Sequence, residues 1–172
     1  MSQEEFLMIF HGVIFGMAIV DLVSHTKDII TKSYWEYIVW AIMLFDMGAL
    51  NWYSTFYRIE VLKNGYGYYV LLMLPAILYY VVVQTFTPSG GRGYKEYFLA
   101  NVKPFIGLMF IFGVVSLGVD LIIGMNIDYL WERIAILALL IPAYFIPKAW
   151  VRMIPVIVRF AIVLGWAIDH TY

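Results

Sequence analysis

The chain has 172 residues and a formal net charge of -1, with 63% of its residues hydrophobic and 13% charged, where soluble domains average about half apolar and a quarter charged. No soluble fold of this size has an interior for that much apolar surface, so the composition specifies an all-α integral membrane protein. The balanced charge gives no basic field to gather nucleic acid, and the lack of cysteine excludes disulfides, thiolate metal sites and a cysteine nucleophile.

At about 20 apolar residues per crossing, five or six spans consume the chain and leave no soluble catalytic domain. The acidic start, Ser2-Gln3-Glu4-Glu5, lacks the basic region of a secretory signal, so the first apolar run reads as a retained helix. That run extends from Phe6 to Val23. A second, Tyr34 to Tyr57, carries Tyr34, Trp35, Tyr37 and Trp40 at one end and Trp52, Tyr53 and Tyr57 at the other, the pattern of aromatic belts at two headgroup levels.

After a turn at Lys63-Asn64-Gly65, a third span is predicted from Tyr68 to Thr85, with Pro75 inside it. The Gly-rich loop at residues 87–93 is the strongest breaker in the chain and marks its midpoint. Charge mixed with aromatic residues predicts a short interfacial helix near residues 94–102. A fourth span then runs from Pro104 to Ile123, a turn falls at Met125–Asp128, a fifth span runs from Tyr129 to Ile146, and a sixth from Trp150 to Ile168. The sixth carries Arg152 and Arg159, unusual charges for a crossing segment.

Lys27, Lys32, Arg92, Lys95, Lys103, Lys148 and Arg152 fall on one side of this arrangement, against Arg58, Lys63 and Arg133 on the other. The positive-inside rule therefore places both termini outside. The expected location is a bacterial inner, or plasma, membrane.

The two halves, residues 5–86 and 94–169, share three features in the same order. Val20-Asp21-Leu22 matches Val119-Asp120-Leu121, Tyr34-Trp35-Glu36 matches Tyr129-Leu130-Trp131-Glu132, and the segment around Pro75 matches that around Pro155. Units of three spans face opposite ways in a bilayer, the inverted repeat common among transporters. Convergent helix punctuation accounts for the same matches.

Ionisable groups at mid-membrane are costly unless paired or wet, and so are functional candidates. Asp46, Asn51, Gln84 and Arg159 are candidates for a buried polar path, with Asp46 and Arg159 expected to meet. The alternative is a structural ion pair. Asp21, Glu36, Asp120 and Glu132 lie near span ends, where they guard the mouths of a path or simply favour helix termini. His11 has no second mid-span histidine to complete a bis-histidine haem, so no cofactor is expected. Walker, GxSxG, HExxH and dinucleotide-turn motifs are missing from the sequence, so no enzymatic activity is expected.

These features predict a small channel or transporter for an ion or small solute. A non-catalytic membrane subunit that binds a membrane-protein partner or forms a homo-oligomer is the second expectation. A lipid- or quinone-binding protein, drawing on the 19% aromatic content, is the third.

Overall fold

The computed structural model describes residues 3–25, 29–31, 34–55, 65–88, 93–124 and 130–169. Six helices of sixteen residues or more fill them: α1 (Gln3–Ser24), α2 (Trp35–Thr55), α3 (Tyr66–Phe86), α4 (Tyr94–Ile122), α5 (Leu130–Phe145) and α6 (Ala149–Asp169). No strand occurs among the described residues. The predicted turn at Met125–Asp128, most of the loop at 87–93 and the cations Lys27, Lys32, Arg58, Lys63 and Arg92 lie outside them.

Three helical segments are long and apolar enough to cross a membrane: α3, α4 and Ala149–Trp166 of α6. Together they mark a multi-pass membrane protein. The other three are less apolar or shorter. Within α1 the apolar run is Met8–Ser24, α2 carries Glu36 and Asp46, and α5 has 16 residues.

α1 shows how each helix divides its surface. His11, Phe15, Ala18 and Leu22 are buried, while Val13, Met17 and Val20 on the opposite face are exposed, both sets at helical spacing. An apolar exposed face is what lipid requires.

The segment near residues 94–102 is not a separate interfacial helix. It is the first part of α4, a single helix of 29 residues that continues through Pro104. The reason is one-sided packing: Tyr94, Phe98 and Phe105 are buried, whereas Lys95 and Lys103 on other faces are exposed. Phe98 packs on Tyr34, Tyr37, Phe86 and Phe105 with ring centroids 5.8, 5.8, 5.9 and 6.0 Å apart. Tyr37 stacks on Phe86 at 4.1 Å and donates its hydroxyl to the Phe86 carbonyl. Proline is tolerated within membrane helices, and this aromatic cluster holds the turns before Pro104 in line with those after it. α4 stops at Gly124, whose φ of 70° only glycine adopts without strain.

Residue contacts fix the direction of every helix. Phe15 meets Tyr79 and Asp21 meets Gln84, so α1 and α3 run parallel. Tyr37 meets Phe86 and Tyr79 meets Leu44, so α2 and α3 are antiparallel. Phe86 meets Phe105 while Tyr79 meets Phe112, making α3 and α4 antiparallel. Gly107 lies by Tyr144, Gly113 by Leu137 and Asp120 by Arg133, making α4 and α5 antiparallel. Glu36 meets Arg152 and Asp46 meets Arg159, so α2 and α6 run parallel. The six helices therefore alternate in direction along the chain.

The halves are packed differently. In the first, α1 lies against both α3 and α2; in the second, α5 lies between α4 and α6. The most extensive helix contact of all, α3 on α4, crosses the boundary between them.

Candidate functional site

The charged groups of the interior are joined across helices. Arg152, from the first turn of α6, reaches Glu36 in the first turn of α2 with two bonds: Nε donates to Oε1 at 2.6 Å and Nη2 to Oε2 at 2.9 Å. The side chains are 5% and 1% exposed, and the Tyr34 hydroxyl also donates to Glu36 Oε2, at 3.1 Å. This bidentate geometry is the strong form of the ion pair. Glu36, expected near a span end, closes a buried clasp with Arg152.

About two turns along α6, Arg159 Nη2 donates to Asp46 Oδ2 at 2.6 Å. The two residues singled out at mid-span are in contact, and with the first pair they join α2 to α6 along their length. Arg152 and Arg159 are seven residues apart and so share a helix face. That spacing was the signal for Arg152, which a count of loop cations assigns to the surface. The charge asymmetry keeps its direction without it.

Asp120, near the end of α4, is buried and receives a bond from Arg133 of α5 at 2.8 Å. Asp21 accepts from Gln84 Nε2 at 3.1 Å, and its carboxylate lies 3.8 Å from His25 Nδ1. Gln84 therefore joins α3 to α1, and the structure does not bring it together with Asp46. Glu132 is half-buried in the first turn of α5. Helix directions put Asp21 and Glu36 at one end of the bundle and Asp120 and Glu132 at the other.

A cavity of about 170 Å³ lies among α2, α4, α5 and α6. Asn51 and Ser54 of α2, Ser116 of α4, Arg133 of α5 and Arg159 of α6 supply its polar wall. Trp40, Met43, Met47, Met109 and Phe112 supply much of the apolar wall. Asp46 is not one of its lining residues but accepts a hydrogen bond from Arg159, which is. Asn51 bonds the Met47 carbonyl through Nδ2 at 2.8 Å.

Trp40 Nε1 and Arg159 Nε, on two of the lining residues, are wholly enclosed by protein atoms and have no hydrogen-bond partner among the described residues. Unmet buried donors are uncommon and costly. Sequence reasoning placed Trp40 in an aromatic belt, whereas it is buried in the core, and it gave no sign that Ser54 or Ser116 lines a cavity, since a hydroxyl residue in a membrane helix carries no local mark of doing so. No group of three or more His, Cys, Asp or Glu side chains able to hold a metal occurs among the described residues. His11 is buried with its ring 5.1 Å from that of Phe15.

The small residues divide by use. Gly48 faces Tyr79 and Gly113 faces Leu137 with no room for a methyl group, whereas nothing approaches Gly16 or Gly118. Gly12 and Gly107 also face a neighbouring helix, at ordinary contact distance from Trp52 and Tyr144.

Comparison with known proteins returns no matching family model, curated protein or solved structure.

Proposed function

We propose that the protein is a small channel or transporter with six crossings, its solute path running through the cavity between α2 and the second half of the chain. The cavity carries this reading: it is lined by two arginines, an asparagine and two serines inside a bundle whose outer faces are apolar. Arg159 lies near the middle of its helix, where a polar group is expensive unless paired or serving a path or a ligand, while Arg133, Asn51 and Ser54 lie near helix ends.

The parallel run of α2 and α6 supports six crossings. In a bilayer, parallel helices cross in the same sense, so the chain reverses an even number of times between them. A short α5 that failed to cross would leave α6 antiparallel to α2. With six crossings both termini share one side, and the distribution of Lys and Arg favours the outside of a plasma membrane. The inverted repeat enters this proposal through sequence matches alone. Because helix pairing differs between the halves, the path is placed by the cavity and not by symmetry.

The chain contains no cysteine, so single introduced cysteines report accessibility without background. In liposomes, Ser116→Cys and Asn51→Cys should react with a water-soluble thiol reagent, while Ile111→Cys and Val114→Cys, on the exposed apolar face of α4, should not. The double substitution Asp46→Asn with Arg159→Gln should fold and yet lose solute flux. Cavity positions as inert as the lipid-facing ones, or undiminished flux in a folded double variant, reject the path.

A further inference from the structure

We infer that the cavity is reached only from the end of the bundle where α1 begins and α6 finishes, and that the Glu36–Arg152 clasp latches it shut toward the opposite end. The inference rests on the reading of the cavity as the solute path and adds the side from which that path is entered.

Helix directions order the cavity from floor to mouth. α2, α4 and α6 run toward the end where α1 begins, and α5 runs away from it. On α2 the lining passes from Trp40 through Met43 and Met47 to Asn51 and Ser54, on α4 from Met109 and Phe112 to Ser116, and on α5 from Leu140 to Arg133. Apolar residues therefore form the floor and polar ones the mouth.

Exposure follows the same gradient. Trp40 is 0% exposed, and Met43, Met109, Phe112 and Leu140 are buried, whereas Leu50 is 37% exposed and the Arg133 side chain 45%. On α6 the lining stops at Arg159, so nearer the mouth the wall is made by α2, α4 and α5.

Below the floor the bundle is filled. Phe105 abuts Trp40 edge-on, with ring centroids 5.0 Å apart, and Tyr37, Phe86 and Phe98 form the next layer. None of these four side chains is more than 2% exposed. The layer comes from α2, α3 and α4, and the clasp ties α6 to it. Arg152 lies about one turn before Pro155, the first lining residue of α6, and Glu36 about one turn before Trp40, the first of α2. A bidentate pair fixes orientation as well as distance, so the starts of α2 and α6 part only if both bonds break.

The test places single cysteines in the full-length chain, which has none of its own, and treats right-side-out and inverted membrane vesicles with a charged, membrane-impermeant maleimide. Ser2→Cys marks the side of the termini, and Lys148→Cys, exposed between α5 and α6, marks the other. Ser116→Cys should react from the Ser2 side and not from the Lys148 side. Combining Ser116→Cys with Glu36→Gln and Arg152→Met removes the latch without leaving a lone buried charge, and should add reaction from the Lys148 side. Should that variant fail to fold, Arg152→Lys in its place, which keeps the charge and gives up the bidentate fork, should add a smaller reaction there.

Reaction of Ser116→Cys from both sides with the clasp intact, or from the Lys148 side alone, overturns the inference and leaves the path standing. So does a folded clasp variant that still reacts from the Ser2 side alone. If Ser116→Cys is inert from both sides, path and inference fall together.

Discussion

The Glu36–Arg152 clasp sets a stability test that its geometry makes severe. Both side chains are almost wholly buried, with two charge-assisted bonds of 2.6 and 2.9 Å and a third from Tyr34. Replacing Arg152 by Met leaves a buried carboxylate without its counter-charge; replacing Glu36 by Gln leaves a buried guanidinium. Removal of one partner from such a pair costs about 3–5 kcal/mol, a large share of the 5–15 kcal/mol typical of a folded domain.

The double variant, Glu36→Gln with Arg152→Met, removes both charges and keeps an amide oxygen for the Tyr34 hydroxyl. It should recover about 2 kcal/mol beyond additivity, within the range measured for contacting residues. Reversible unfolding in mixed micelles with rising dodecyl sulfate fraction, followed by circular dichroism, measures all four proteins. Single substitutions costing under about 1 kcal/mol, the scale of many polar contacts between membrane helices, would refute the reasoning. So would strict additivity.

Two further outcomes are expected. At Gly48 a methyl group collides with the Tyr79 hydroxyl and ring, whose O–H bonds the Leu44 carbonyl at 2.7 Å, so Gly48→Ala should cost about 1–3 kcal/mol in the same assay. Adding Tyr79→Phe should restore part of it; no loss in Gly48→Ala would show that α2 and α3 can separate freely. Cysteines introduced singly at Ser2 and Thr171 should both react with an impermeant reagent applied outside intact cells, and reaction at only one terminus would exclude an even number of crossings.

Helix positions were legible because a membrane span is long and apolar, a property that local composition reports directly. The segment 94–102 was not, because composition averages around a helix and hides which side is buried. Lys95, Glu96 and Lys103 make it look interfacial, while Tyr94, Phe98 and Phe105 recur on the face that packs against α2 and α3. At the site, Asp46 and Arg159 stood out as charges deep in apolar runs. The same logic chose Gln84, whose amide is met by Asp21 at 3.1 Å. Mid-span polarity shows that a partner exists and not which helix supplies it. Trp40 is the opposite case, since its unmet N–H becomes visible only when every neighbour has been placed.

The packing also limits how a transporter built this way can move. Rocking of one half against the other has to break or carry along the contact between α3 and α4, where Phe86 meets Phe98 and Phe105, Tyr79 meets Phe112, and Tyr97 donates to the Thr85 carbonyl. Aromatic pairs contribute about 0.5–1.5 kcal/mol each beyond their buried area, so opening this seam is costly. The two ion pairs oppose separation of α2 from α6 as well. The backbones of α2 and α4 approach at fewer points, but at one end Tyr34, Tyr37 and Trp40 are tied to Tyr94, Phe98 and Phe105 by four aromatic pairs. In the proposed transporter, low-cost opening is therefore confined to the other end of that contact, along the cavity, with α2 and α6 clasped together and α3 and α4 joined.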